Sequence, residues 1–433
     1  MPKNAKPLHL SLVATTNTLH GGLAGFERAH GRAPSESNAT ELYLEYADIA
    51  ERGNFTSLFL ADTAQAVGSP IVGGGSPEPF TVLSAIAART RHLGVIATAS
   101  TSFYEPYNVA RLLGSLDLVS EGRAGWNVVT SSQEAAGLNF GYDTLPSRDE
   151  RYARADEFME VVTALWSNRE LRPNEQGGAD FFADAIDYQG EHFRVRGPLN
   201  VAPSRQGRPM IGLAGGSDSG VAVAAKHADV TFTNATSKQD AASYRSELSR
   251  ALIAAGRKPD SVPIMPMLVP FLGRTRQEAE DRKHAIDEFL DVDALAPKAL
   301  APFGISFSYN DLDDAFPVDV LPHPEAVRRV IKGAYGSYLG LHTWIGERPG
   351  VTVRQVTLQA ALGMHHRKFI GSYDEFADDL ESWFREGLVD GFLLMCPEGA
   401  SSATSFVEHI VPRLVARGIY RDRPDNRPLR ERF

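Results

Sequence analysis

The sequence is poor in cysteine and in long apolar runs, and each shortage excludes a class of protein. Cys396 is the only cysteine among 433 residues, so an internal disulfide and a multi-cysteine zinc or iron–sulfur site are excluded. No stretch approaches the roughly 20 apolar residues that a membrane span needs. The first apolar run is too short and too interrupted for a signal peptide. We therefore expect a cytoplasmic protein without a membrane partner.

An excess of positive charge is also absent. The chain has 44 Lys and Arg against 54 Asp and Glu, which gives a formal net charge of −10. Nucleic acids and anionic membrane surfaces attract basic patches, so both are disfavoured as partners. Hydrophobic residues make up 43% of the chain and charged residues 23%, which is the balance of a protein with a large buried core.

Short apolar runs rich in β-formers alternate with longer helical patterns along most of the chain. The runs are apolar throughout, which is typical of parallel strands covered on both faces. About eight such units predict an α/β fold, a TIM (β/α)8 barrel with insertions, because an open doubly wound sheet usually has fewer strands. The predicted strands are 8–14, 57–61, 94–99, 125–130, 209–214, 229–233, 262–271 and 390–395. The predicted helices are 38–53, 79–90, 106–120, 149–167, 217–227, 238–255, 275–289, 373–387 and 403–417.

Two segments interrupt this alternation. Residues 168–208 are polar and contain a predicted hairpin around 186–195, whereas residues 291–350 are rich in proline, glycine and aromatic residues. We interpret both as lid or substrate-side insertions in a single barrel domain that covers 1–433. The charged, proline-containing segment 421–433 is predicted to be a surface tail.

Polar residues follow several of the apolar strands, at the end of a barrel where active sites form. Asp62, Thr98, Asn127 and Thr130 occupy such positions, and together they favour a polar ligand. An Asn side chain both donates and accepts, which suits the amide and carbonyl edge of a flavin or pyrimidine. A set of hydrogen bonds that only caps the loops would use the same residue types.

A glycine-rich turn, GLAGGSDSG at 212–220, joins a predicted strand to a helix. Gly215 and Gly216 permit close backbone approach, and Ser217 is a natural N-cap for a helix whose free amides would attract an anion. Phosphate binding and a simple tight turn both fit this pattern. An NAD site is disfavoured, because no ribose-binding acid follows about 20 residues later.

The combined motifs resemble the bacterial luciferase-like flavin monooxygenases. The resemblance is closest to the branch with nitrilotriacetate, dibenzothiophene-sulfone and long-chain alkane monooxygenases. It covers most of the chain apart from 291–350, and GRAGWNVVT at 122–130 is its most specific part. Other matching stretches are ERG at 51–53, SLFLAD at 57–62, TAST at 98–101, NFG at 139–141, RY at 151–152 and AGGS at 214–217.

This resemblance implies the oxygenase component of a two-component flavin-dependent monooxygenase. Such an enzyme uses reduced FMN and O2 to oxygenate a small organic substrate through a flavin peroxide. A separate NAD(P)H:flavin reductase supplies the reduced FMN, and the chain is expected to form a homodimer or homotetramer. The resemblance assigns Gly216, Ser217 and Tyr152 to the phosphate, beside Gly215. It assigns Asp62, Thr98, Asn127 and Thr130 to the flavin ring and ribityl chain.

The candidate catalytic residue is His20, in the loop after the first strand, because histidine suits proton transfer near neutral pH. An ordinary loop histidine is the alternative. The pair His365-His366 lacks the i,i+4 spacing of a helical metal site, so no metal is expected. The chain departs from the family pattern in its first loop, which lacks tryptophan, and at Arg148, where histidine is common. A deazaflavin-dependent oxidoreductase of the same fold and a non-catalytic flavin-binding protein therefore remain alternatives.

Overall fold

Thirteen strands, most of them parallel, organise the described part of the chain. The computed structural model describes residues 7–14, 39–65, 77–288, 290–301, 304–330, 335–361 and 366–433. In chain order the strands are β1 His9–Ala14, β2 Ser57–Leu60, β3 Gly94–Ser100, β4 Ala124–Val129, β5 Arg169–Pro173, β6 Ala179–Ala183, β7 Tyr188–Gln189, β8 Arg194–Val195, β9 Met210–Ala214, β10 Val230–Thr233, β11 Ile264–Gly273, β12 Arg367–Ser372 and β13 Gly391–Met395.

Eight of these strands close into a parallel barrel, which confirms the predicted TIM-barrel fold. Going round the barrel, the order is β1, β2, β3, β4, β9, β10, β11 and β13, and β13 pairs again with β1. His9 lies opposite Gly391 where the barrel closes, and Thr231 lies opposite Ile264 between β10 and β11. Each barrel strand lies within two residues of its predicted bounds.

Helices connect most of the strands, and several of them pack against the outside of the barrel. They are Ala39–Arg52, Pro79–Arg89, Pro106–Val119, Glu134–Leu138, Arg148–Ser167, Asp218–His227, Lys238–Ala254, Arg276–Asp287, Val292–Leu300, Pro324–Val330, Tyr335–Gly346, Val353–Ala361, Tyr373–Arg385, Ala400–Ala416 and Leu429–Arg432, with a short 3₁₀ turn at Val318–Val320. Serine caps mark several starts: Ser147 caps one helix in a reciprocal capping box with Glu150.

The apolar core has two layers. Inside the barrel, Phe59 and Phe232 meet edge to face at 5.3 Å between ring centroids, packed with buried Met265. Between strands and helices, Trp126 is fully buried and donates its indole N–H to the carbonyl oxygen of Ala99 at 3.1 Å. Trp126 is thus a core residue, as its place inside an apolar run predicts.

The two insertions differ in structure. The predicted hairpin in the first insertion is present as β7 and β8, but a second hairpin of β5 and β6 was not predicted. Residues of the second insertion build a hydrophobic cluster of their own, in which Phe316, Tyr338 and Leu341 are buried together.

The C-terminal segment corrects a prediction: it is not a surface tail. Leu429 is fully buried with the apolar residues inside the barrel, and its N–H donates to the carbonyl oxygen of Gly122 at 2.9 Å. Arg432 is 4% exposed and donates to the carbonyl oxygen of His92 at 2.6 Å. The sequence of this segment looks polar because only one apolar side chain, Leu429, docks it to the barrel. Its other contacts are hydrogen bonds from arginine side chains to backbone carbonyl oxygens.

The sequence also gave no indication of β12. This strand pairs with the C-terminal half of β11, from Leu268 opposite Arg367 to Gly273 opposite Ser372, and so lies beside the carboxyl ends of the barrel strands.

Across the described ranges, no helix has both the length and the apolar character to traverse a bilayer.

Candidate active site

A large cleft opens at the carboxyl ends of the barrel strands. Its volume is about 1720 Å³. Its lining includes the ends of β4, β9 and β10, together with a wall formed by β12 and by helices that include Tyr335–Gly346. Six of the predicted site residues line it: Asp62, Thr130, Tyr152, Gly215, Gly216 and Ser217. The structure thus brings together residues from four separate parts of the sequence.

The turn after β9 presents a capped helix N-terminus to this cleft. The Ser217 hydroxyl accepts a hydrogen bond from the Gly220 N–H at 3.2 Å, so Ser217 is the N-cap of Asp218–His227. A Cβ built on Gly216 would have no heavy atom within 4 Å, which leaves open space beside the turn. Backbone amides at a helix N-terminus favour an anion.

Tyr152 reaches this turn from another helix. A Cβ built on Gly215 or Gly220 would lie 3.5 or 3.2 Å from the Tyr152 hydroxyl oxygen, so the phenol and the turn are neighbours. Arg148, one helical turn earlier, is a half-buried cation that lines the same cleft. It forms no ion pair with any other residue that the structure describes. This end of the cleft therefore combines a hydroxyl, a helix N-terminus and a cation.

Thr98 and Asn127 form a buried pair in neighbouring strands, just before the ends that line the cleft. The Thr98 hydroxyl donates to the carbonyl oxygen of Leu60 at 2.6 Å, and the Asn127 amide N–H donates to the Thr98 hydroxyl at 3.0 Å. Asn127 is 4% exposed, yet its Oδ1 has no hydrogen-bond donor among the described residues. A buried acceptor without a donor is costly. Neither Thr98 nor Asn127 lines the cleft itself, so the unpaired Oδ1 of Asn127 lies below the cleft surface.

The carboxyl group of Asp62 lies half-buried after β2. Burial raises the pKa of Asp62 above its ordinary value, and the negative charge of Glu78 raises it further, while the N–H of Thr63 opposes both. Glu78 caps the helix Pro79–Arg89 by accepting from the Phe80 N–H at 2.8 Å. Asp62 thus adds a carboxyl group of reduced acidity to the cleft.

Several residues of the cleft were missed by sequence reasoning. Thr233 ends β10, is 9% exposed and has a hydroxyl with no partner among the described residues. The rule that selected Thr98 and Thr130 would also select it. Lys283, Asp287 and Lys368 line the wall that contains β12, where no sequence signal pointed, because that wall depends on β12 pairing with β11.

The histidine predictions have different outcomes. His20 and His365 lie outside the described residues. His366 is 8% exposed and lines the cleft immediately before β12. Cys396 is buried after β13, where burial raises the pKa of its thiol to about 12, so it packs as a small apolar side chain.

The arrangement fits a phosphorylated ligand with a polar heterocyclic ring. The open space at Gly216 and the hydroxyls of Ser217 and Tyr152 suit a phosphate. The unpaired Oδ1 of Asn127 suits a ring N–H. Within the residues that can be described, no group of three or more His, Cys, Asp or Glu side chains could hold a metal ion.

Known proteins with similar sequences share this architecture over nearly the whole chain. Residues 22–310 match the family model described as luciferase-like monooxygenase. An N-acetyl-S-(2-succino)cysteine monooxygenase from Bacillus subtilis (strain 168) is 35% identical over 421 residues, 93% of this chain and 92% of that protein. Nitrilotriacetate monooxygenase component A from Aminobacter aminovorans is 33% identical, over 98% of this chain and 96% of that protein. A crystal structure of riboflavin lyase with modified FMN and its substrate riboflavin has a TM-score of 0.78 and 28% identity, over 99% of this chain and 95% of that one.

Proposed function

This chain belongs to the luciferase-like monooxygenase family, and from that premise we propose that it is the oxygenase component of a two-component, reduced-FMN-dependent monooxygenase. The observation that carries the proposal is the meeting of Tyr152 with the Ser217-capped helix beside the open space at Gly216. Riboflavin lyase, a relative of the same fold, contains a modified FMN, which supports this choice of flavin.

In this proposal the phosphate of FMN binds at the turn after β9. Gly215 and Gly216 let the phosphate approach the backbone, Ser217 presents the helix N-terminus, and Tyr152 donates its hydroxyl. Arg148 lines the same end of the cleft and adds positive charge. A dianionic group gains from each of these features, whereas riboflavin would gain from none of them.

The flavin ring and ribityl chain then extend toward the ends of β2, β3 and β4. Asn127 would accept a hydrogen bond from a ring N–H at its Oδ1, while its own amide N–H is held by the hydrogen bond to the Thr98 hydroxyl. Asp62 and Thr130 would contact the ring edge and the ribityl hydroxyls, since both line the cleft. Bound reduced FMN supplies two electrons, with which one atom of O2 enters the substrate and the other leaves as water.

The protein's own task is to orient the substrate and exclude water. The insertion 291–350 supplies Leu341 and Trp344 to the cleft, and these apolar side chains would cover a bound substrate. His20 stays a prediction for proton transfer.

A separate NAD(P)H:flavin reductase would supply the reduced FMN, as the designation component A of the nitrilotriacetate enzyme suggests for that relative. We expect one barrel domain per chain and a homodimer or homotetramer.

Oxygen labelling tests the proposal. The purified chain would receive FMN, NADH, a separate flavin reductase and 18O2, together with candidate sulfides, sulfones, amines and carboxylates. We expect a product that carries one 18O atom, and only when the chain and the reductase are both present. Oxidation of reduced FMN without an oxygenated product from any candidate would contradict the monooxygenase and favour a flavin-binding protein.

A further inference from the structure

One wall of the cleft holds a lysine with no counter-ion of its own. Lys368 is the second residue of β12, lies opposite Val269 of β11 and lines the cleft. Its Nζ donates to the carbonyl oxygen of Gln359 at 2.8 Å, near the C-terminal end of the helix Val353–Ala361. An ammonium group has three N–H donors. Among the described residues, this carbonyl is the only hydrogen-bond acceptor for Lys368.

The charged groups that act on Lys368 are the amine of Lys283 and the carboxylate of Asp287, and His366, two residues earlier in the chain, lines the same cleft. The helix Arg276–Asp287 packs along β12 and presents Lys283 and Asp287, whose Nζ and Oδ2 are paired at 2.5 Å. The other oxygen of Asp287 is buried and has no partner among the described residues. The helix Val353–Ala361 contributes the Gln359 carbonyl, and β11 contributes apolar side chains. The neighbouring Arg367 is paired with Asp379 at 2.5 Å.

These surroundings destabilise the protonated, positively charged form of Lys368. Burial, with the charge of Lys283 adding to it, lowers the pKa of Lys368 to about 7, while Asp287 opposes the shift. An anion placed against the amine would supply the missing counter-charge and would favour the protonated form. The amine would then take up a proton as the anion binds.

We propose that the substrate of this enzyme carries a carboxylate, and that Lys368 binds that carboxylate on the β12 wall of the cleft. This inference rests on the proposed function, because it takes the cleft beside the flavin as the substrate site. Lys368 acts here as a specificity-determining residue. A planar carboxylate has two acceptor oxygens, which match the two N–H donors that Gln359 leaves unused.

The first test is calorimetric binding of carboxylates to the full chain in saturating FMN. The probes are acetate, succinate and nitrilotriacetate, with uncharged succinamide as the matched neutral ligand. At least one carboxylate should bind and succinamide should not. Lys368→Met keeps the side-chain length and removes the charge, so it should weaken carboxylate binding about ten- to a hundredfold. Lys258→Met, which removes an exposed lysine outside the cleft, should bind like the unmodified chain.

The dependence of binding on pH separates a direct contact from a structural role. Above about pH 7 the amine is mostly neutral before binding, so Kd should rise toward tenfold per pH unit, with proton uptake measurable in buffers of different ionisation enthalpy. Lys368→Arg keeps a permanent charge, so it should retain binding but lose both the proton uptake and this pH dependence.

The failure of this inference is distinguishable from failure of the proposed function. A chain that binds FMN but no carboxylate, or binds carboxylates equally well in Lys368→Met, overturns the role of Lys368 and leaves the monooxygenase intact. A chain that does not bind FMN contradicts the proposed function itself.

Discussion

At the scale of single residues, the proposed flavin site rests on polar atoms that have no partner among the described residues. Asn127 is the clearest example, because it lies 4% exposed in a strand and still has a vacant Oδ1 in the described structure. Its proposed role at the flavin follows from a strand-end position and a family resemblance. The lack of a donor for its Oδ1 could not be predicted, since it depends on how the folded chain orients the side chain, with the amide N–H bonded to Thr98.

Replacing Asn127 with leucine should weaken flavin binding without unfolding the protein. Leucine has a similar volume but offers no acceptor, so reduced FMN should bind about tenfold or more weakly, at a cost of roughly 1–3 kcal/mol. Anaerobic fluorescence titration would measure this. Thr231→Val is the matched control, because Thr231 is buried, donates to the Pro263 carbonyl oxygen at 3.2 Å and does not line the cleft. Equal FMN affinity in both variants would refute the role of Asn127.

The raised pKa of Asp62 predicts a pH-dependent effect on stability. A folded-state pKa above the unfolded value means that the charged carboxylate destabilises the folded state, and that this cost disappears at low pH, where both states are protonated. Asp62→Asn should therefore raise Tm at about pH 8, with a gain that shrinks as the pH falls and vanishes by about pH 3, below the unfolded-state pKa of about 3.9. Asp260→Asn, which removes one exposed carboxylate, should show no such gain. A Tm difference that is constant with pH would contradict this account.

At the scale of elements, the barrel strands were predictable and the added elements were not. Each barrel strand is a continuous apolar run because the interior covers one face and helices cover the other. β12 has the sequence RKFIGS, is only partly buried and pairs with β11 alone, so it carries neither a continuous nor an alternating pattern. The same reasoning explains why β5 and β6, which are mostly exposed, escaped prediction.

Within the short C-terminal helix Leu429–Arg432, the apolar contribution to stability should come from Leu429. Leu429 is fully buried against Gly94 and Gly125, so Leu429→Ala leaves a cavity and should cost about 2–5 kcal/mol of unfolding free energy. Thermal and denaturant unfolding would measure this loss. Ile253→Ala removes a side chain that is 61% exposed and should change stability little. Matching losses in the two variants would show that the C-terminal segment is only loosely docked.

At the scale of the whole molecule, one end of the barrel gathers polar groups from distant parts of the chain. The glycine turn after β9 and the strand-end residues could be predicted, because each is marked locally in the sequence. The wall that contains β12 could not be predicted, since the surroundings of Lys368 come from Asp287, Gln359 and β12, which meet only after folding. The fold and the glycine turn are thus marked locally in the sequence, whereas the composition of the β12 wall depends on long-range packing.

The most direct test of the central claim is a comparison of anaerobic titrations with reduced FMN and reduced riboflavin. The account predicts tight binding of reduced FMN and at least about tenfold weaker binding of reduced riboflavin, which lacks the phosphate. It also predicts that Ser217→Asp loses this preference, because a carboxylate at the helix N-cap repels the phosphate. Equal binding of the two flavins, or no binding of reduced FMN, would contradict the account.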